Sequence, residues 1–207
     1  GRLGFMGIQI DPCYGGAGLD TLAYAIIVEE VSRADGSMGL TVASHNGLGS
    51  AHIARFGSEE QRRQYLPKLA TGEWLGAWAL TEPGSGSDAA ALATRAVRDG
   101  NDWVLNGSKM FITQGSEAGV TVVLAANDPG AKHRGITAFA IEAGTAGFTH
   151  HKLRGKLGVR SSDTAELALQ DVRVPDSARV GRVGSGFLDA MSILDKGRIS
   201  IGAMALG

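Results

Sequence analysis

The hydrophobic period changes near Trp74, and that change restricts the possible folds more than any other feature of the sequence. From Leu19 to about Gly72 the spacing is helical: Leu22, Ile26 and Ile27 fall at i, i+4 and i+5. This predicts a helix with Asp20 as N-cap, Leu22, Ile26 and Ile27 facing the core, and Glu29-Glu30 toward the other face. His52 to Phe56 should end at Gly57, and Ser58-Glu59-Glu60-Gln61 reads as a capping box opening a helix that buries Tyr65, Leu66 and Leu69. Beyond Trp74 the segments Val120 to Ala126, Ile136 to Ile141 and Thr164 to Leu169 are β-branched or apolar, with Gly, Pro and Asp between them. Trp103-Val104-Leu105 runs into Asn106-Gly107 and out through Met110-Phe111-Ile112, which predicts a hairpin with a type I′ turn. Helical spacing resumes at Gly186 through Phe187, Met191, Leu194, Ile199, Ile201 and Met204. A compact antiparallel β domain is therefore expected between two helical zones.

Composition removes several functional classes. Lys and Arg number 20 against 21 Asp and Glu, and the basic residues are scattered. No electrostatic footprint for nucleic acid or an anionic membrane is present. The single Cys13 excludes an intrachain disulfide and a multi-cysteine metal site, and reads as a loop thiol. No apolar run approaches the ~18 residues of a membrane span, and no signal peptide is apparent, so a soluble chain is expected. His45, His52, His133, His150 and His151 share no metal-binding spacing, and no metal ligand is assigned. There are 31 glycines, about twice the usual ~7%, which implies many turns. The chain opens on Gly1 rather than Met and stops at Gly207 inside an apolar pattern, so a longer natural protein is expected.

The chemistry concentrates in Thr81-Glu82-Pro83-Gly84-Ser85-Gly86-Ser87-Asp88 and, further on, Phe111-Ile112-Thr113. Glycines let backbone N–H groups face an anion or a polar ring edge, and the Thr81, Ser87 and Thr113 hydroxyls add directional donors. Gly84 to Ala89 also fits a dinucleotide fingerprint, with Asp102 at the distance of a ribose-binding acid. A Rossmann unit needs a helix at the second glycine and then a parallel strand, whereas a hairpin at Asn106-Gly107 makes the next strand antiparallel. A plain Gly/Ser turn is the third reading.

The stretch WALTEPGSGSD with FIT after it resembles the flavin-binding signature of the acyl-CoA dehydrogenases. YGGAGLD, EEQRRQYLPKLATGE, LNGSKMFIT, KLGVRSSDTAEL, DVRVP and LDKGR follow the family's order and extend the resemblance over nearly the whole chain. The implied fold is α+β: an N-terminal helical domain (1–75), an antiparallel β-barrel-like middle domain (76–184) and the first helix of a C-terminal helical bundle (185–207). Ala89 to Arg98 is taken as strand on this basis. The resemblance implies FAD as cofactor, with Trp78, Ala79, Leu80, Thr81, Gly86 and Ser87 around the isoalloxazine and pyrophosphate. Thr81 would meet the pyrimidine edge, while Phe111, Ile112 and Thr113 would supply an aromatic face and a hydroxyl near N5. Many members carry Trp where this chain has Phe111, which keeps the stacking surface and loses an indole donor. Ser87 and Ser161 would touch the acyl-CoA substrate, Asp195 and Arg198 its adenosine end, and Val42 to Ser44 would lie near the acyl tail.

The implied reaction is oxidation of the Cα–Cβ bond of an acyl-CoA thioester, with a glutamate removing the Cα proton. No catalytic residue can be named. Most members carry the glutamate in the C-terminal helical domain, and the isovaleryl and long-chain branches place it just before the helix arginine, where this chain has Gly197. Residues 1–207 alone are therefore expected to be inactive. The family further implies an electron-transferring flavoprotein as acceptor, a homotetrameric parent, and a location in the bacterial cytoplasm or the mitochondrial matrix. A same-fold acyl-CoA oxidase or flavin monooxygenase, and a non-catalytic nucleotide- or CoA-binding module, are the alternatives.

Overall fold

A computed structural model describes residues 1–207. Helices α1 (Thr21–Ala34), α2 (Gly36–Ser44), α3 (Ala51–Phe56) and α4 (Glu59–Thr71) come first, and α2 passes into α3 through a π-helical segment, His45–Ser50. Strands β1 (Leu75–Ala79), β2 (Arg95–Asp99), β3 (Asp102–Thr113), β4 (Ala118–Ala126), β5 (Ile136–Glu142), β6 (Phe148–Lys152), β7 (Thr164–Pro175) and β8 (Arg179–Val180) follow, and α5 spans Gly186–Leu206. No helix is long and apolar enough to cross a membrane.

The helices begin where side chains can satisfy the first free N–H groups. Asp20 accepts from the Ala23 N–H at 2.8 Å, and Asp35 accepts from the Ser37 N–H at 2.7 Å. Ser58 and Gln61 cap each other's backbone at the start of α4. The face that α1 buries differs from the expected one. Tyr24, Val28 and Ser32 are buried and Ile27 packs partly buried beside them, whereas Leu22 and Ile26 are 68% and 51% exposed. The reason is the close approach of α1 and α2: a Cβ added to Gly39 would lie 1.9 Å from Ser32 Oγ. Small residues fill that contact, and hydrophobicity alone selects the wrong stripe.

The strands form one sheet in the order β6-β7-β3-β2-β4-β5-β8, with β1 beside β4. Most pairs are antiparallel, but β1 runs parallel to β4, and β2 meets β4 in parallel at Arg95 and Ala126. The sheet does not close into a barrel, since β6 and β8 are its two ends. It curls: Trp103 of β3 and Phe139 of β5, not neighbours in the sheet, meet edge to face with centroids 5.4 Å apart. The apolar run in β4 is explained by burial on both faces. Val120, Val122 and Leu124 join Ile53, Leu66 and Leu69 under the helices, while Val123 and Ala125 join Leu105, Phe139 and Leu167 inside the curl.

Two strand expectations are corrected. Asn106-Gly107 is no turn: β3 runs straight through it, and Gly100-Asn101 joins β2 to β3, with Gly100 at φ +62°. Asn106-Gly107 marks a bulge, where the pairing of β3 with β7 slips. Asn106 Nδ2 donates to Asp171 Oδ1 at 3.0 Å, and its Oδ1 accepts from the Asp171 N–H at 2.8 Å. A Cβ on Gly107 would sit 2.5 Å from Thr94 Oγ1. Residues that suit a tight turn also suit a bulge, so the dipeptide alone does not discriminate. Ala89 to Arg98 is not one strand either, because Ala89–Ala91 form a 3-10 turn and β2 begins at Arg95. The Ala93 and Thr94 N–H groups are taken by the Glu82 carboxylate and are lost to the ladder. Antiparallel pairing of β2 with β3, and a 3-10 turn instead of a helix after Gly86, exclude the Rossmann arrangement.

Candidate functional site

Thr81 and the segment Phe111–Thr113 meet where the chain leaves β1 beside the end of β3. The Met110 N–H donates to the Thr81 carbonyl at 2.9 Å. Pairing of β3 with β7 slips again between Lys109 and Ile112, and this second bulge re-aims the side chains. Lys109 points inward and is completely buried, Phe111 turns out and is 67% exposed at φ +60°, and Ile112 returns to the core. Left-handed backbone is strained for a bulky residue. The bulge thus holds an aromatic ring on the surface against the preference of its own backbone.

A buried ion pair lies beneath Thr81. Lys109 Nζ donates to Glu82 Oε1 at 2.7 Å and to the Leu80 carbonyl at 3.1 Å. Glu82 also accepts from the Thr94 N–H at 3.0 Å and from the Ala93 N–H. Its backbone pairs with Ser85 in both directions, at 2.9 and 3.2 Å, and Ser85 Oγ donates to the Asp88 carbonyl at 2.7 Å. Burial pushes the Lys109 ammonium down to about 8, although the Glu82 charge and hydrogen bond pull the other way. Burial also resists ionisation of Glu82, but Lys109 and the donated N–H groups outweigh it, and the carboxyl sits below its ordinary value. The pair is ionised at neutral pH.

Gly84 and Gly86 have no role in that internal structure. Neither takes a positive φ, and a Cβ on either would meet nothing within 4 Å. The hydroxyls of Thr81, Ser87 and Thr113 take no part in the network either. The open backbone at Gly84 and Gly86, the hydroxyls of Thr81, Ser87 and Thr113 and the exposed Phe111 ring thus lie on the two segments that the Thr81–Met110 hydrogen bond joins, a region termed the shelf.

The far end of the shelf is tied to the helices. Gln114, at φ +65°, donates its N–H to the Asp163 carbonyl at 2.9 Å and its Nε2 to the Thr41 carbonyl of α2 at 2.7 Å. Its Oε1 is buried without a partner. Asp163 accepts from the Ser116 N–H and hydroxyl at 2.9 and 2.7 Å and lies 3.2 Å from Lys152 Nζ. Exposed Ser161 is thereby placed at the Thr113 end, with Val42, Ala43 and Ser44 buried at the end of α2. Trp78, Ala79, Leu80 and Ile112 are buried in the cores, and Ala79 and Ile112 keep almost no exposed surface, backbone included. Asp195 and Arg198 stand apart, exposed on α5 and paired with each other at 3.4 Å.

A depression of about 1070 Å³ between Arg55, Gln61, Tyr65, Glu142 and Arg179 contains none of these residues. Its charges are partly consumed internally, Arg179 pairing with Asp176 at 3.1 Å. A smaller one, about 660 Å³, flanks the loop at Glu82, Gly84, Thr94, Gly107 and Gln170. Donor chemistry, not volume, singles out the shelf.

The family model for the N-terminal domain of acyl-CoA dehydrogenases matches residues 1–73, and that for their middle domain matches residues 77–172. This chain belongs to the acyl-CoA dehydrogenase family. It is 46% identical, over all of its length and 55% of the relative, to a short-chain specific acyl-CoA dehydrogenase of Clostridium acetobutylicum. Butyryl-CoA dehydrogenase from Megasphaera elsdenii superposes with a TM-score of 0.95 at 41% identity, over 98% of this chain and 54% of that one. A glutaryl-CoA dehydrogenase from Mycobacterium smegmatis in complex with FADH2 does so with a TM-score of 0.92 at 39% identity, over 99% of this chain and 51% of that one. The chain thus spans about half the length of the relatives it matches.

Within this acyl-CoA dehydrogenase framework, several residues carry weight that the sequence did not signal. Lys109, Glu82 and Gln114 become visible only once the second bulge is known. In the helical half, His45 donates Nε2–H to the Met6 and Leu69 carbonyls at 2.9 and 3.1 Å and accepts the Gly76 N–H on Nδ1 at 3.0 Å. Asn46 accepts the Ile8 N–H at 3.0 Å and donates to the Phe5 and Val42 carbonyls at 2.9 and 3.0 Å. The π segment aims these consecutive side chains inward. His52 Nδ1 accepts from the Trp78 indole at 3.1 Å, fixing that ring under β1. Burial holds both histidines at about 4, well below the ordinary 6.5.

Proposed function

We propose that this chain is the flavin-holding part of an FAD-dependent acyl-CoA dehydrogenase, which converts an acyl-CoA thioester to the trans-2-enoyl-CoA. The observation that supports this reading is the Met110–Thr81 hydrogen bond, which joins the segment carrying Thr81 to the strand end carrying Phe111 and Thr113. FAD, when bound, would supply the hydride acceptor for Cβ. Thr81 would donate to the pyrimidine edge of the cofactor, Phe111 would cover one face of the ring, and Thr113 would present its hydroxyl toward N5. Donors placed in advance where the reduced ring gathers negative charge favour reduction. The Gly86 and Ser87 amides and the Ser87 hydroxyl would receive the pyrophosphate, and Trp78, Ala79, Leu80 and Ile112 would back the ring from the cores. The FADH2 complex of the glutaryl-CoA relative supports the choice of cofactor.

Ser87 and Ser161 contact the CoA ester, and Asp195 with Arg198 holds its adenosine end, where an always-charged guanidinium suits phosphate. The short-chain and butyryl-CoA relatives favour a small acyl group. An electron-transferring flavoprotein reoxidises the parent enzyme, a homotetramer. No residue of this chain serves as proton acceptor: the position before Arg198 is Gly197. The test combines FAD uptake with addition of butyryl-CoA. Flavin held by the chain should keep its oxidised band after the ester is added. A full-length parent without FAD contradicts the cofactor assignment, and ester-dependent bleaching by this chain contradicts the missing base.

A further inference from the structure

We infer that Lys109 is the positioning residue for the flavin-facing edge: clipped between the Leu80 carbonyl and the Glu82 carboxylate, it sets the direction in which Thr81 presents its donors. This rests on the flavin reading above.

Three consecutive residues are pinned around Thr81. The Leu80 carbonyl is held by Lys109 Nζ at 3.1 Å, the Thr81 carbonyl by the Met110 N–H at 2.9 Å, and the Glu82 carboxylate by Lys109 Nζ at 2.7 Å. Peptide units anchored on both sides cannot rotate freely, so the hydroxyl and amide between them have a fixed aim. The same bulge that drives Lys109 inward turns Phe111 outward, so one irregularity sets both the donor edge and the ring face. An ammonium offers several donors from one atom, which a neutral apolar side chain of similar length cannot do. A buried ion pair is weak evidence for stability, and a role in fixing geometry accounts for its place directly under the shelf.

Geometry of this kind has a signature that fold stability lacks. Donors aimed at the pyrimidine edge stabilise the reduced ring more than the oxidised one. Disturbing their aim therefore changes the ratio of the two affinities, whereas general loosening lowers both together. The experiment measures dissociation constants of FAD and dithionite-reduced FAD for the wild type, Lys109→Met and Glu82→Gln. The wild type should prefer the reduced form. Lys109→Met should lose about tenfold of that preference, equivalent to ~30 mV toward a more negative two-electron potential. Glu82→Gln should move the same way by less, since its one amide oxygen can still accept from Lys109 and one loop N–H, while the NH2 cannot replace the oxygen that accepts the other. An unchanged ratio in Lys109→Met, or in Glu82→Gln if Lys109→Met does not fold, overturns the role of Lys109. A wild type that binds neither form overturns the flavin reading itself.

Discussion

Two buried polar centres cross-link this chain, one in each half, with different chemistry. In the helical half, His45 and Asn46 are neutral and tie residues 5–8, Leu69 and Gly76 to one π segment. In the sheet half, Lys109 and Glu82 are charged and tie β3 to the segment after β1. The neutral centre lies deep between elements and faces no open surface. The charged one lies directly under the shelf, where desolvation is costly and a neutral network could also hold the fold. The contrast separates a device for cohesion from one that also aims functional groups.

The contrast is broken most severely at the charged centre. Lys109→Met leaves Glu82 buried without its counter-charge and should cost about 3–5 kcal/mol in urea unfolding. A loss below ~1 kcal/mol would mean that water reaches the carboxylate and that the two centres differ less than they look.

Acid sharpens the difference. The folded pKa of His45 and of His52 is about 4, against an ordinary 6.5, so the unfolded state binds more protons between those values. Their stabilisation is complete above pH 6.5 and falls as pH drops toward 4, by on the order of 3 kcal/mol for each histidine. Glu82 is depressed below its ordinary 4.5, so its contribution starts to fall only below that pH. Between pH 6.5 and 4.5, hydrogen-exchange protection factors, corrected for the intrinsic slowing of exchange in acid, should fall at Ile8 and Gly76 before they do at Thr94 and Met110. Simultaneous opening would contradict independent centres.

Asn46→Ala should cost about 1–3 kcal/mol for each buried group it strands, among them the Ile8 N–H. Ser58→Ala, which removes an ordinary cap far from both centres, should cost ~1 kcal/mol and leave FAD affinity unchanged. Thermal unfolding of both variants checks that order.

Local features were readable in advance because their causes are local. Asp20, the Ser58–Gln61 box and the start of α5 at Gly186 depend on a few neighbouring residues, and the strands at Val120, Ile136 and Thr164 announce themselves by composition. The buried face of α1 was misread because a close helix contact selected Ser32 over Leu22. Asn106-Gly107 was misread because a bulge and a turn ask the same of a backbone. The motif strings point to the Thr81 and Thr113 segments and not to Lys109, since which residues of β3 face inward depends on its register with β7. The π segment leaves no periodic trace, and His45 and Asn46 looked featureless for that reason.

The most direct test of the shelf is an amide chemical-shift titration of the isotope-labelled chain with FAD. Saturable shifts are expected, largest at Thr81, Gly86, Ser87, Ile112 and Thr113. Shifts centred instead on the depression around Arg55 and Arg179, or none at all, would contradict a flavin site between Thr81 and Thr113.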